Sequence, residues 1–189
     1  EKSLMQERDV LIIAFSSGLS GTAGSFAVAA RELRKQYPKR KIRVVDTLCA
    51  SMGEGLLLDY VVKKANTGAD VEETAKFAEN LKLKICHHFT VDNLFHLKRG
   101  GRVSSATAVI GSILKIKPIM HVDDEGHLIK AGTIRGRKAS LKALADKLIE
   151  TAEDVAGGTF FISHGDCEED AKALADMIRA QGGNDVQII

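Results

Sequence analysis

Two short clusters carry the residues able to do chemistry. In the first, Ser16-Ser17-Gly18-Leu19-Ser20-Gly21-Thr22, hydroxyl side chains and glycines sit between an apolar run and a long helical pattern. Hydroxyls donate hydrogen bonds and glycines let the backbone come close to a ligand. A helix start adds unpaired N–H groups and the positive end of its dipole. The stretch therefore reads either as a plain helix cap or as a cradle for an anion. Its glycine spacing is neither GxGxxG nor GxxxxGK[ST], and no lysine stands ready to grip a phosphate, so the match to a nucleotide loop is poor. The second cluster, Leu94 to Ser104, sets Arg99 and Arg102 around Gly100-Gly101. Arginine stays charged and holds a carboxylate or phosphate through paired hydrogen bonds. Its glycines read either as a bend aiming Arg102 into a cleft, or as a helix C-cap with Lys98 and Arg99 serving the dipole.

Other reactive residues fit ordinary roles better. Cys86, His87 and His88 adjoin, but neighbouring strand residues point to opposite faces and no second ligand cluster has zinc spacing. Cys167 follows His164-Gly165-Asp166, close enough for a Cys–His pair. No third group orients it, and Gly165-Asp166 reads first as a helix N-cap. Arg135-Gly136-Arg137-Lys138 is a basic turn before a helix, a solvated surface or a dock for an acidic partner. Ser51-Met52-Gly53 is a helix start.

The elements that position these clusters follow from periodicity. Asp9 to Phe15 is a continuous apolar run of strand length, as expected of a strand buried on both faces. Phe26, Ala29, Ala30 and Leu33 recur at helical spacing and predict a helix over 22–36, ended by Pro38. Ile42 to Asp46 reads as a strand, and helices follow from Ala50 to about Ala65 and over 71–81. After Lys84 the rhythm changes. Strand Ile85–Val91, short helix Asp92–Lys98, turn Arg99–Ser105 and a helix or loop from Ser112 to Lys117 lead into Pro118–Val122. Asp123–Gly126 is a tight turn, and His127–Thr133 is the returning strand of a hairpin. Lys138–Ala152 and Cys167–Gln181 read as helices, and Thr159–Ser163 and Asp185–Ile189 as strands. The pattern predicts an α/β protein with two lobes: a parallel α/β lobe over 1–84, followed by a mixed α+β lobe over 85–189.

Composition narrows the partners. The chain has 189 residues, 44% hydrophobic, with a formal net charge of +2, enough for a real core and no argument for nucleic acid. Two tyrosines and no tryptophan leave few platforms for stacking bases. Cys49, Cys86 and Cys167 are far apart with no CxxC, which suits a reducing cytosol. No apolar run approaches the roughly 20 residues of a membrane span, and the opening residues form no signal peptide. These features predict a soluble cytoplasmic protein. Both ends read as cut: the chain opens on a helix tail without a start methionine and stops inside a strand.

The order and spacing of SSGLSGT, VVDTLCASMGEGLLL and VDNLFHLKRGGRVSSA resemble the DegV family, and ILKIKPIMHVDDEGHLIKAGTIRGRKASLKAL looks like that family's second-lobe hairpin and helix. The resemblance covers nearly the whole chain. It implies a bacterial fatty-acid-binding protein, the B subunit of fatty acid kinase. Such a protein encloses one long acyl chain in an apolar tunnel between two lobes. It presents the carboxylate to a separate ATP-using kinase subunit, which makes acyl phosphate for phospholipid synthesis. By the same resemblance Ser17 is a carboxylate contact and Arg102 lies near the head group. Ser16, Ser20, Gly21 and Thr22 complete the motif, mainly as loop shape. The long-chain fatty acid is the expected ligand, with no further cofactor, metal or nucleic acid.

The family's D-S/T-x-x-D/S and T-S-Q-P-S segments, and its H-x-G-P-G segment whose histidine reaches the carboxylate, do not occur in these residues. The chain by itself is therefore expected to bind fatty acid poorly, and a longer parent to bind it well. Two other readings compete: an α/β enzyme acting on a small molecule, and a lipid-sensing regulatory module. No acid–base pair or partnered nucleophile supports the enzyme.

Overall fold

The computed structural model describes residues 1–104 and 115–189. The expected Ser105 end of the turn and the 112–114 part of the following segment lie outside these. The chain divides into two compact units. One comprises Glu1–Ile85 with Asp124–Gly126, the other Cys86–Asp123 with His127–Ile189. The lobes expected from sequence, 1–84 and 85–189, make no separate provision for the turn at 124–126, which joins the first unit.

In the first unit, helix α1 (Lys2–Met5) leads to strand β1 (Val10–Ala14), helix α2 (Thr22–Gln36), strand β2 (Ile42–Asp46) and helices α3 (Ser51–Asn66) and α4 (Val71–Leu81). β1 and β2 pair in parallel, with Val10 opposite Ile42 and Ala14 opposite Asp46. The β1–α2–β2 crossover is the connection a parallel pair requires. Leu11 and Ile13 pack with Val45, Leu57, Val61 and Ala78 on one side, while Val10 and Val44 pack with Leu4, Ala30 and Leu33 on the other. α2 uses its small residues Ala23 and Ala30 to approach the sheet. Of the residues that recur at helical spacing, Phe26 and Ala29 are exposed, Phe26 by 38%. Two strands offer too little surface to cover a whole helical stripe.

α4 has the best-defined start. The Asp70 carboxylate accepts the N–H groups of Glu72 and Glu73, and Glu73 returns a bond to the Asp70 N–H. This capping box satisfies donors at both ends of the first turn. Lys41, just before β2, reaches the N-cap Asp70 at 2.8 Å, and Arg43 of β2 reaches Glu72 of α4 at 2.7 Å.

The second unit holds β3 (His88–Thr90), α5 (Phe95–Arg99), β4 (Ile116–Val122), β5 (Leu128–Arg135), α6 (Arg137–Thr151), β6 (Thr159–Ile162), α7 (Glu168–Ala180) and β7 (Asp185–Ile188). β3, β4 and β5 form an antiparallel sheet with β4 central, and β6 pairs with β7 in parallel. The strand predicted over 85–91 is shorter because a 3-10 turn at Lys82–Lys84 precedes it and Cys86 is exposed. Phe160, Ile162, Ala175, Ile178 and Val186 close one core around β6, β7 and α7. Leu94, Val103 and Met120 close another. Glu168, Glu169 and Asp170 fill the first turn of α7, where negative charge suits the helix dipole. Among the described residues no helix is long and apolar enough to cross a membrane.

Candidate functional site

The loop between β1 and α2 begins where the parallel strands end. There the ladder continues one step further: Thr47 donates its N–H to Ala14 O at 3.1 Å, and Ser16 donates its N–H to Cys49 O at 3.0 Å. The carboxyl edge of an open α/β sheet is the usual place for ligands.

Within this loop the backbone donors are nearly all engaged. Ser17 N donates to Asp46 Oδ1 at 3.1 Å and Gly18 N to Ser16 Oγ at 3.1 Å. Leu19 N and Ser20 N both donate to Ser16 O, and Thr22 N donates to Ser20 Oγ at 3.3 Å. The loop thus folds on itself rather than leaving a nest of bare N–H groups. The N-cap of α2 is Gly21, which has no side chain to cap with, and Ser20 supplies the capping oxygen one residue earlier.

The hydroxyls divide into three roles. Ser16 is fully buried, at 0% exposure, and its Oγ donates to Gly126 O at 2.8 Å while accepting from Gly18 N. Its one proton is spent. Ser20 and Thr22 share a hydrogen bond of 2.7 Å, so one proton of that pair remains to give. Ser17 is exposed, and among the described residues its hydroxyl makes no hydrogen bond. It is a free, outward-facing donor of the loop.

Three features absent from the sequence expectation frame Ser17. Asp46, the last residue of β2, accepts from Ser17 N and, at 3.3 Å, from Leu48 N. Leu48 itself adopts φ 55, a left-handed conformation costly for a branched side chain. Gly126 acts through the neighbouring Ser16, whose Oγ donates to its carbonyl. Asp46 is legible only as a strand end, and Gly126 only as a turn glycine. Nothing in local sequence links either to Ser17.

The second cluster is a helix terminus. Gly101 N donates to Lys98 O and Arg102 N to Leu97 O, both at 2.9 Å, with Gly101 at φ 76. This is the Schellman arrangement, so the capping alternative is the one the backbone adopts. Arg102 is exposed and its Nη1 donates back to Gly100 O. Ser17 belongs to the first unit and Arg102 to the second.

Other candidates take structural roles. Cys49 is buried, which pushes its thiol up to about 12, outside the range of a reactive thiolate. Arg137 binds Asp170 at 2.7 Å and the Cys167 sulfur at 3.6 Å, while Cys167 N donates to His164 Nδ1. That last bond is a turn contact and not a thiol–imidazole pair. A cavity of about 410 Å³ lies beside β1 and α3, lined by Leu11, Ile13, Ser51, Glu54, Gly55 and Leu58, and burial raises the Glu54 carboxyl above its ordinary range. Among the described residues no group of three or more His, Cys, Asp or Glu is placed to hold a metal ion.

Comparison with known proteins places the chain. A family model described as an uncharacterised protein, DegV family, matches residues 1–189. A DegV domain-containing protein of Clostridium perfringens is 46% identical over 179 residues, covering 95% of this chain and 62% of that protein. The fold resembles a solved DegV family protein of Eubacterium eligens loaded with heptadecanoic acid, with TM-score 0.88, 26% identity, and coverage of 99% of this chain and 67% of that one. It also resembles a DegV lipid-binding protein of Thermotoga maritima, with TM-score 0.81, 31% identity, and coverage of 99% and 64%. The chain spans 62% and 65% of the length of its Clostridium perfringens and Lactococcus lactis relatives. On the match along its whole length, the chain belongs to the DegV family.

Proposed function

We propose that the protein carrying this chain is a non-catalytic carrier of a long-chain fatty acid, with Ser17 as a contact for the carboxylate. The observation that carries this reading is the state of the loop. Its backbone donors from Ser17 to Ser20 and the Ser16 hydroxyl are spent internally, while the Ser17 hydroxyl is exposed and unengaged. An outward, unengaged hydroxyl matches a carboxylate oxygen, which accepts charge-assisted hydrogen bonds. It suits a phosphate group less, since phosphate cradles rely on several converging N–H groups. Among the described residues no base is hydrogen-bonded to the Ser17 hydroxyl, as Asp46 accepts from its backbone N–H instead, which supports a ligand contact over a nucleophile.

The heptadecanoic acid in the Eubacterium eligens protein and the lipid binding of the Thermotoga maritima protein support the same ligand class here. Arg102 supplies the second head-group contact, its guanidinium offsetting the carboxylate charge. Ser20 and Thr22 contribute one further hydroxyl proton, and Gly21 lets α2 begin without a side chain in the way. In this reading the carboxylate is presented to a separate kinase subunit, which forms the acyl phosphate used in phospholipid synthesis in the cytoplasm.

Extraction of the purified protein into organic solvent, followed by mass spectrometry, tests the proposal. Recovery of long-chain fatty acid in near-stoichiometric amount is expected. Recovery of a nucleotide or a sugar in its place contradicts it.

A further inference from the structure

We infer that the Asp124–Gly126 turn is the positioning element for the Ser17 hydroxyl, and that its fit sets the preference for an ionised acid over an uncharged ester. The inference rests on the head-group reading above and assigns a role to residues that reading does not use.

The turn is a rigid three-residue hairpin loop. Asp123 N donates to His127 O at 3.0 Å, His127 N donates to Asp123 Oδ1 at 2.8 Å, and Gly126 takes φ 79 at the third position. This is the three-residue loop that ends in a left-handed glycine. Its inner face is backbone, and it lies on backbone. A Cβ added to Gly18 would stand 2.8 Å from both Glu125 O and Gly126 O. A Cβ added to Gly126 would meet Ser16 Oγ at 2.1 Å and Leu48 Cα at 3.2 Å. Neither neighbour can withdraw, because real Cβ atoms do not approach backbone so closely and a close-packed interior does not yield.

Ser17 is therefore fixed from each direction along its chain. Ser16 before it is bonded to Gly126, Gly18 after it is pressed against the turn, and its own N–H is held by Asp46. The strained Leu48 is held by the same turn glycine and the same carboxylate. Strained residues persist where the surroundings over-determine them. The turn and Asp46 together supply that constraint, so the direction of the Ser17 Cα–Cβ bond is set by its neighbours' bonds and packing. Gly126, Gly18 and Ser16 are positioning residues.

The test compares heptadecanoic acid with its methyl ester, measured as a ratio of affinities in the protein that carries this sequence. The ester keeps the acyl chain and a neutral carbonyl acceptor and loses the charge, so the ratio reports the part of the head-group contact that depends on charge. Ser17→Ala is expected to lower the acid-to-ester ratio by about 10-fold, the scale of one hydrogen bond to a charged group. Ser16→Ala is expected to lower the same ratio by about 3- to 10-fold with ester affinity within about 2-fold of the parent, as a displaced donor loses most of that bond. An unchanged ratio in Ser16→Ala when Ser17→Ala collapses it overturns the positioning role alone. A parallel fall in acid and ester affinity makes the turn a general support of the fold and overturns it too. An unchanged ratio in Ser17→Ala removes the head-group reading and this inference with it.

Discussion

Ser16 and Gly126, 110 positions apart, are joined by a buried hydrogen bond of 2.8 Å from the serine hydroxyl to the glycine carbonyl. The same oxygen accepts the Gly18 N–H at 3.1 Å, so one buried side chain satisfies both a donor and an acceptor. Removing it leaves both groups unpaired. Ser16→Ala is expected to lower unfolding stability by about 1–3 kcal/mol, the cost of unsatisfied buried polar groups. Urea denaturation checks it, and a loss under about 0.5 kcal/mol, the range of an ordinary surface change, contradicts the role.

Cysteine reactivity should separate sharply by position. Burial holds the Cys49 thiol up to about 12, whereas Cys86 is exposed. Thiolate is the reactive species, so at pH 8 Cys49 offers about one part in ten thousand of it. Iodoacetamide followed by peptide mapping is expected to label Cys86 and spare Cys49 until the protein is unfolded. Equal labelling of the two in the folded state would contradict the placement of Cys49.

A pH dependence follows from His88. Thr151 Oγ1 donates to Lys147 O at 2.9 Å, so the 3.1 Å contact with His88 Nε2 has the imidazole as donor. The proton sits on Nε2, and Nδ1 is buried with no hydrogen-bond partner among the described residues. Burial lowers the His88 pKa, and His121 and Lys147 lower it further while Glu150 opposes them. The unfolded chain therefore binds a proton before the folded chain does as pH falls. Stability is full above the ordinary histidine value near 6.5 and is lost below it, at no more than about 1.4 kcal/mol per pH unit. His88→Gln keeps an N–H donor without titrating, so its stability should fall less than the parent's between pH 7.5 and pH 5.5. Equal falls would remove His88 as the cause.

Local signals were enough for much of the fold. Pro38 stops α2 where expected, and α4 occupies the 71–81 span expected of it. The alternation of apolar strands and helices gives the parallel pairing of β1 with β2. Burial was harder to read. Phe26 and Ala29 have the right spacing for a core face but lack a surface wide enough to cover them. At the candidate site, the hydroxyl motif singles out the loop after β1, and it could not show that Ser16 and the backbone donors are consumed. Those bonds depend on Asp46 and Gly126, whose partners lie far away in sequence. Likewise Gly100-Gly101 allowed two readings, and only the bonds to Leu97 and Lys98 decide between them.

The central claim is that a fatty-acid carboxylate rests on Ser17. A crystal structure of the protein carrying this sequence, grown with heptadecanoic acid, tests it most directly. The account predicts a carboxylate oxygen about 2.5–2.7 Å from Ser17 Oγ, the length of a charge-assisted O–H···O bond. A bound acyl chain whose carboxylate lies away from Ser17, with that hydroxyl still facing solvent, would contradict it.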